Sequence, residues 1–131
     1  EDPRRQRQMC IRDRNLNIKG RIFEIKNFYE GISRFNFDEL CDNNLGAEDY
    51  LEIVKNLKFM IIEKIPQFND INSNQQQRFI TLIDIIYDKN LPIAVTASQN
   101  IHEFTTSRSL EEPFKRTISR LYELTSMKYN I

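Results

Sequence analysis

Glycine is scarce in this sequence, with Gly20, Gly31 and Gly46 the only three among 131 residues, and they stand too far apart to build a phosphate-cradling GxxxxGK[ST] or GxGxxG loop. Histidine is scarcer still. The single His102 sits in a polar stretch with no partner at catalytic spacing, which excludes a serine or cysteine triad, and a lone loop histidine is most simply solvated. Two cysteines, Cys10 and Cys41, lie too far apart for a zinc site and too few for a disulfide framework, so a reducing compartment is the natural prior. No run reaches the roughly 18 to 20 apolar residues that a membrane span requires, and nothing at the N-terminus reads as a signal peptide, so a soluble protein is expected. Charge of one sign is absent as well: 19 basic and 19 acidic side chains cancel, which argues against a strongly basic nucleic-acid binder. No complete active site is visible in the residues alone.

What is present suffices for a folded core. Hydrophobic residues make up 40% and aromatics 11%, and with four prolines there is no low-complexity linker; the length alone suggests one compact domain. Residues 1–14, EDPRRQRQMCIRDR, carry five arginines against three acids with no apolar periodicity. They are expected to be a disordered tail, and because QRQMCIRDR resembles translated adapter sequence, a non-native one. Without them the remaining chain carries a net charge of −2.

From Asn15 the apolar residues alternate: Leu16 and Ile18, then Ile22, Phe23, Ile25 and Phe28, then Ile32, Phe35 and Phe37 after a Glu30-Gly31 turn. This predicts short antiparallel strands. Asp38 to Cys41 suits one helical turn, and Ala47 to Asn56 a helix with Tyr50, Leu51, Val54 and Leu57 on its apolar face. The continuous run Phe59-Met60-Ile61-Ile62 suits a strand buried on both faces. A helix follows, capped by Ser73 or Asn72 with Gln76 at capping-box spacing and with Phe79, Leu82, Ile83, Ile86 and Tyr87 as its stripe. The run Ile93 to Ala97 then completes a strand, crossover helix and strand, a parallel unit for which right-handedness is strongly preferred. After a polar connection, Ser109 and Glu112 open a last helix with Phe114, Ile118, Leu121 and Thr125 as its packing stripe. The fold class is α/β: a partial parallel sheet with one crossover, an N-terminal antiparallel strand pair and a C-terminal helix.

Candidate functional residues fall in two places. Arg116 and Arg120 stand one helical turn apart, a like-charged spacing that costs a few tenths of a kcal/mol unless an anion or carboxylate lies between them. The plain compensation is a ladder with Glu112 and Glu123; the functional one is a polyanion such as a nucleotide phosphate. Glu63 and Thr96, with Ser98, lie at the carboxyl ends of the predicted parallel strands, where α/β sheets gather ligands, although a strand-ending charge and a β-branched strand residue explain the first two equally well. Arg78, early in the crossover helix, opposes the helix dipole and either meets an acid or anion or lies exposed. Phe35 and Phe37 could stack on bases but, with only Arg34 nearby, are more simply core.

Three stretches in order, FDELCDNNLGAEDYLEI at 37–53, KIPQFNDINSNQQQRFITLIDIIYDKNLPIAVTAS at 64–98 and FKRTISRLYELTSMKY at 114–129, resemble the C-terminal part of the ZapE-type cell-division ATPases. These are P-loop proteins of the AAA+ group with mitochondrial relatives. The resemblance implies that residues 15–131 are the C-terminal portion of an ATPase domain whose phosphate-loop half lies elsewhere. It implies ATP and Mg²⁺ as cofactors of the complete protein, with no hydrolysis by this portion alone, since nothing here can cradle the β- and γ-phosphates. Arg116 and Arg120 match the arginines of the family's RTxSRL helix, which implies a phosphate-sensing role within a subunit or across a subunit boundary. Glu63 matches an acidic strand-end position, but Lys64 stands where the family carries a second acid, which argues against a metal role for that strand. Implied partners are cell-division or other membrane-proximal proteins and further copies of the chain, with no nucleic acid. The implied location is the bacterial cytoplasm, at most peripheral at the inner membrane, or the mitochondrion in a eukaryote. A stand-alone, non-catalytic interaction module is the alternative.

Overall fold

The architecture was determined from a computed structural model that describes residues 12–18, 21–43 and 45–125, with side chains from Tyr29 onward except that of His102. Five strands form one sheet in sequential order, β1 (Arg12–Ile18), β2 (Arg21–Tyr29), β3 (Ile32–Asn36), β4 (Phe59–Ile65) and β5 (Ile93–Ala97). Among the described residues four α-helices accompany them: α1 (Phe37–Cys41), α2 (Ala47–Lys55), α3 (Ser73–Asp88) and α4 (Glu111–Thr125). The first two strand pairs are antiparallel, and β3–β4 and β4–β5 are parallel. The α/β reading therefore holds, with one addition: β3, expected only as an antiparallel strand, also begins a parallel crossover through α1 and α2 to β4. Arg12 to Arg14, counted within the expected tail, lie in β1, where Arg12 pairs with Phe28; residues 1–11 lie outside the described residues. Gly20 and Cys10 lie outside the described residues.

The Glu30-Gly31 turn forms as predicted. Both residues have positive φ, 47° and 88°, and Tyr29 pairs with Ile32, so this is a two-residue hairpin of the mirror-image type whose twist suits β-strands. A Cβ on Gly31 would lie 2.9 Å from the Lys58 side chain, so space and φ both require glycine there.

One face of the sheet carries the core. Phe35, Met60, Ile62, Ile65 and Ile93 are buried and merge with the buried stripes of the helices into a single cluster. At its centre Phe68 contacts Phe37, Phe79 and Phe114 at ring-centroid distances of 5.5, 5.6 and 5.5 Å. Phe35 and Phe37 are thus core, not stacking platforms. The expected burial of β4 on both faces is corrected: the strand alternates, with Met60 and Ile62 fully buried while Phe59, Ile61 and Glu63 on the other face are only half-buried.

β4 also runs past its expected end. Its pairing with β5 slips between Ile62 and Ile65, and Lys64 takes φ 62° there; the extra residue returns Ile65 to the core side. Two apolar stripes are rotated from their expected positions. On α2 the buried set is Asp49, Tyr50, Ile53 and Val54, and Leu51 is 41% exposed. On α4 it is Phe114, Thr117, Leu121 and Leu124, with Ile118 and Thr125 at the margin.

The Ser73–Gln76 capping box does not form. The N-cap is Asn72, whose side chain instead accepts from the Asn69 backbone N–H at 2.8 Å and donates to the Gln67 carbonyl at 3.0 Å. Gln76 is fully buried and reaches the connection before α4, donating to Thr106 Oγ1 at 2.6 Å and accepting from the Ser107 N–H at 3.0 Å. Ser109 lies in a 3-10 turn (Arg108–Leu110) leading into α4. His102 lies in another (Ile101–Glu103), its side chain outside the described residues.

Candidate functional site

The packing of α4 on α3 sets the position of the arginine pair. With Phe114, Thr117, Leu121 and Leu124 turned inward, Arg116 and Arg120 fall on the flank of α4, against the polar edge of α3. There Asp84 lies between them. Arg120 Nη1 donates to Asp84 Oδ1 at 2.5 Å, and Arg116 Nη2 reaches Asp84 Oδ2 at 3.5 Å. The carboxylate that offsets the like-charged pair is therefore Asp84. The expected ladder does not form: Glu112 pairs with Lys115 at 3.1 Å, and Glu123 accepts the Tyr87 hydroxyl at 3.0 Å.

The two arginines are held unequally. Arg120 is 26% exposed and also lies 4.8 Å from the centre of the Tyr87 ring, a cation–π contact. Arg116 is 58% exposed and, among the described residues, has only the long contact to Asp84. Asp84 answers both guanidiniums and Glu123 lies on the Tyr87 side of Arg120, so Arg116, the more exposed and less tightly held, is the guanidinium that an oxyanion arriving from solvent would meet first. The bond from Tyr87 to the Glu123 carboxylate raises the phenol's pKa, keeping that hydroxyl a donor.

The strand-end candidates are committed to other work. Glu63 pairs with Arg34 across β3 and β4 at 2.8 Å. Thr96 Oγ1 accepts the Lys64 backbone N–H at 3.0 Å, satisfying the donor that the slipped register frees. A shallow groove of about 340 Å³ beside them is lined by Lys64, Pro66, Thr96 and Ser98. Arg78 Nη1 donates at 3.0 Å to the carbonyl of Cys41, one of the carbonyls left open at the end of α1. Arg78 thus ties α3 to α1, and the structure does not bring Glu63, Thr96 and Arg78 together with the arginine pair. Asp84 is the residue that sequence reasoning missed. Its signal was its place on α3 just beside the apolar stripe, where a neighbouring helix can reach it.

These features define an α/β protein built on parallel crossovers, with an arginine pair anchored on the helix layer. A family model described as AFG1-like ATPase matches residues 6–131, and the chain belongs to that family. The resemblance read from the three sequence stretches is therefore confirmed. The chain is 37% identical over 86 residues to Lactation elevated protein 1 homolog B of Danio rerio, covering 66% of this chain and 17% of that protein. It is 26% identical over 94 residues to Cell division protein ZapE of Escherichia coli K12, covering 72% of this chain and 25% of that protein. The chain thus spans between a sixth and a quarter of the length of these relatives. No solved structure matches it.

Proposed function

We propose that these residues are the C-terminal portion of an ATP-hydrolysing protein of the ZapE type, in which Arg116, positioned by Arg120 and Asp84, contacts nucleotide phosphate. The observation that carries this reading is the unequal grip of Asp84: one guanidinium is fixed at 2.5 Å and the other, exposed, is held only at 3.5 Å. In hydrolysis, water attacks the γ-phosphorus, the bond to the ADP oxygen breaks, and negative charge moves onto the γ- and bridging oxygens. A guanidinium already aimed there stabilises that charge more than it stabilises the bound ground state. The family supports ATP as ligand and Mg²⁺ as cofactor of the complete protein. Among the described residues no group of three or more His, Cys, Asp or Glu could hold a metal ion, and Glu63 is taken by Arg34, so the residues that would hold Mg²⁺ are expected in the rest of the protein. The 131 residues alone are accordingly expected not to turn over ATP.

The name of the Escherichia coli relative extends the reading to the cell-division machinery or a related membrane-proximal assembly, acting from the cytoplasmic side, or from the mitochondrion in a eukaryote. No described helix is long and apolar enough to cross a membrane.

The test is Arg116→Ala in the complete gene product. ATP turnover should fall on the order of 10²-fold, with the melting temperature almost unchanged. Unchanged turnover per folded molecule would refute the role, and magnesium-dependent turnover by the 131-residue chain would refute its dependence on the rest of the protein.

A further inference from the structure

We propose that Tyr87 is a positioning residue whose hydroxyl holds Glu123 away from Arg120, so that Asp84 stays with Arg120 and Arg116 stays open to an incoming anion; this deepens, and rests on, the reading of Arg116 as the residue that contacts phosphate. The first observation is a pair that spacing favours and the structure lacks. On α4, Arg116, Arg120 and Glu123 follow one another at four and three residues, and on α3 Asp84 and Tyr87 stand three apart, so each helix brings its set to the face where the two helices pack. Glu123 is oppositely charged to Arg120 and one turn from it on the same helix, the ordinary geometry of a helical ion pair. That pair does not form.

The second observation is what stands in its place. Glu123 Oε2 accepts the Tyr87 hydroxyl at 3.0 Å, and the Arg120 guanidinium lies 4.8 Å from the centre of the same tyrosine's ring while it donates to Asp84 Oδ1 at 2.5 Å. One side chain therefore occupies both members of the missing pair, the carboxylate through its hydroxyl and the guanidinium through its ring. The carboxylate raises the pKa of the phenol, so the hydroxyl keeps its proton and remains the donor.

The consequence follows from how two guanidiniums and two carboxylates can share partners. In the observed arrangement Glu123 is spent on a neutral phenol, Asp84 is committed to Arg120, and Arg116 is left with a 3.5 Å contact and 58% exposure. In the alternative, Glu123 takes Arg120 and Asp84 closes on Arg116 with both oxygens, a bidentate charge-assisted pair that would occupy the guanidinium an anion needs. Removing the phenol's donor favours the alternative, because a carboxylate left to water gains by moving to a guanidinium one turn away. The tyrosine hydroxyl thus decides which arginine is the anchor and which is free.

Arginine labelling tests this directly. Phenylglyoxal, which modifies guanidiniums that are not held by carboxylates, is applied to the complete gene product without nucleotide, and the modification of Arg116 is read by peptide mass spectrometry relative to the exposed Arg108. Tyr87→Phe, which keeps the ring and removes only the hydroxyl, should slow the labelling of Arg116 about threefold or more, the protection that a partly exposed ion pair gives. Adding Glu123→Gln to Tyr87→Phe should restore the rate, because an amide cannot replace Asp84 at Arg120. Unchanged labelling of Arg116 in Tyr87→Phe overturns the proposal. So does a slowing that persists in the double variant, which would assign the effect to repacking of α3 against α4 and not to Glu123. ATP turnover of the same variants reports separately on the functional reading: it should fall and return with the reactivity of Arg116. Labelling that falls and returns while turnover stays constant refutes phosphate contact by Arg116 and leaves the role of Tyr87 standing.

Discussion

Removing one arginine of the pair should cost far more stability than removing the other, although a sequence view makes them equivalent. Arg120 and Asp84 are 26% and 29% exposed and meet at 2.5 Å, so solvent screens their attraction only in part. A charge-assisted hydrogen bond in that setting contributes about 1 to 2 kcal/mol, and the guanidinium over the Tyr87 ring adds roughly 0.5 to 1 kcal/mol. Part of this is recovered in Arg120→Ala, because Arg116 can close on the vacated carboxylate. The net expectation is a loss of about 1.5 kcal/mol, or a drop in melting temperature of roughly 5 °C for a domain of this size. Arg116→Ala breaks only a 3.5 Å contact at a side chain 58% exposed, and should cost less than about 0.5 kcal/mol. Urea unfolding of both variants, of Asp84→Ala and of the two double mutants closes the cycles. The coupling of Arg120 with Asp84 should be about 1 kcal/mol, falling in high salt, and that of Arg116 with Asp84 near zero. Equal losses for the two arginines, or equal couplings, would refute the division of labour between anchor and sensor.

Two further outcomes follow from buried polar groups. Gln76→Leu removes the acceptor of the Ser107 N–H, and with Ser107 1% exposed that donor is stranded, so unfolding should become easier by about 1 to 3 kcal/mol. Amide exchange at Ser107 should accelerate well beyond that at Phe79, and unchanged exchange would place the loop's anchor elsewhere. Burial raises the pKa of the Cys41 thiol above its ordinary 9.0, and burial followed by the neighbouring Cys41 raises that of the Tyr50 phenol above its ordinary 10.0. Above pH 9 the unfolded chain then releases protons that the folded chain keeps. Stability should therefore be flat in this contribution below pH 9 and decline above it, approaching about 1.4 kcal/mol per pH unit for each group. Cys41 should stay unalkylated in the native protein at pH 9, and rapid alkylation there would contradict its burial.

The sequence made the crossover helix, the Glu30-Gly31 hairpin and the separation of Arg116 and Arg120 from the packing stripe of α4 legible, because each rests on short-range rules of period, φ and spacing. The misreadings share a cause: tertiary partners won over local chemistry. Gln76 has capping-box spacing from Ser73, yet a buried amide that satisfies Thr106 and Ser107 is worth more than a cap on an exposed turn. Leu51 belongs to the periodic face of α2 by hydropathy, but Asp49 turns inward because its carboxylate accepts the Gly46 N–H at 2.7 Å at the start of that helix, and the stripe rotates with it. Arg78 opposes the dipole of α3 but finds the open carbonyl of Cys41 across the core, a contact 37 residues away that no local pattern announces. Asp84 was hidden for the same reason, since its partners lie 32 and 36 residues downstream.

α4, which carries Arg116, packs with α3 over the core, so Arg116 stands exposed and loosely held on the outer surface of the helix layer. A phosphate on the far side of the sheet could not reach it, because strands spaced about 4.8 Å apart leave no passage for a side chain. If Arg116 acts on nucleotide as proposed, the phosphate must therefore approach from the helix side, held there by the rest of the same protein or by a neighbouring copy.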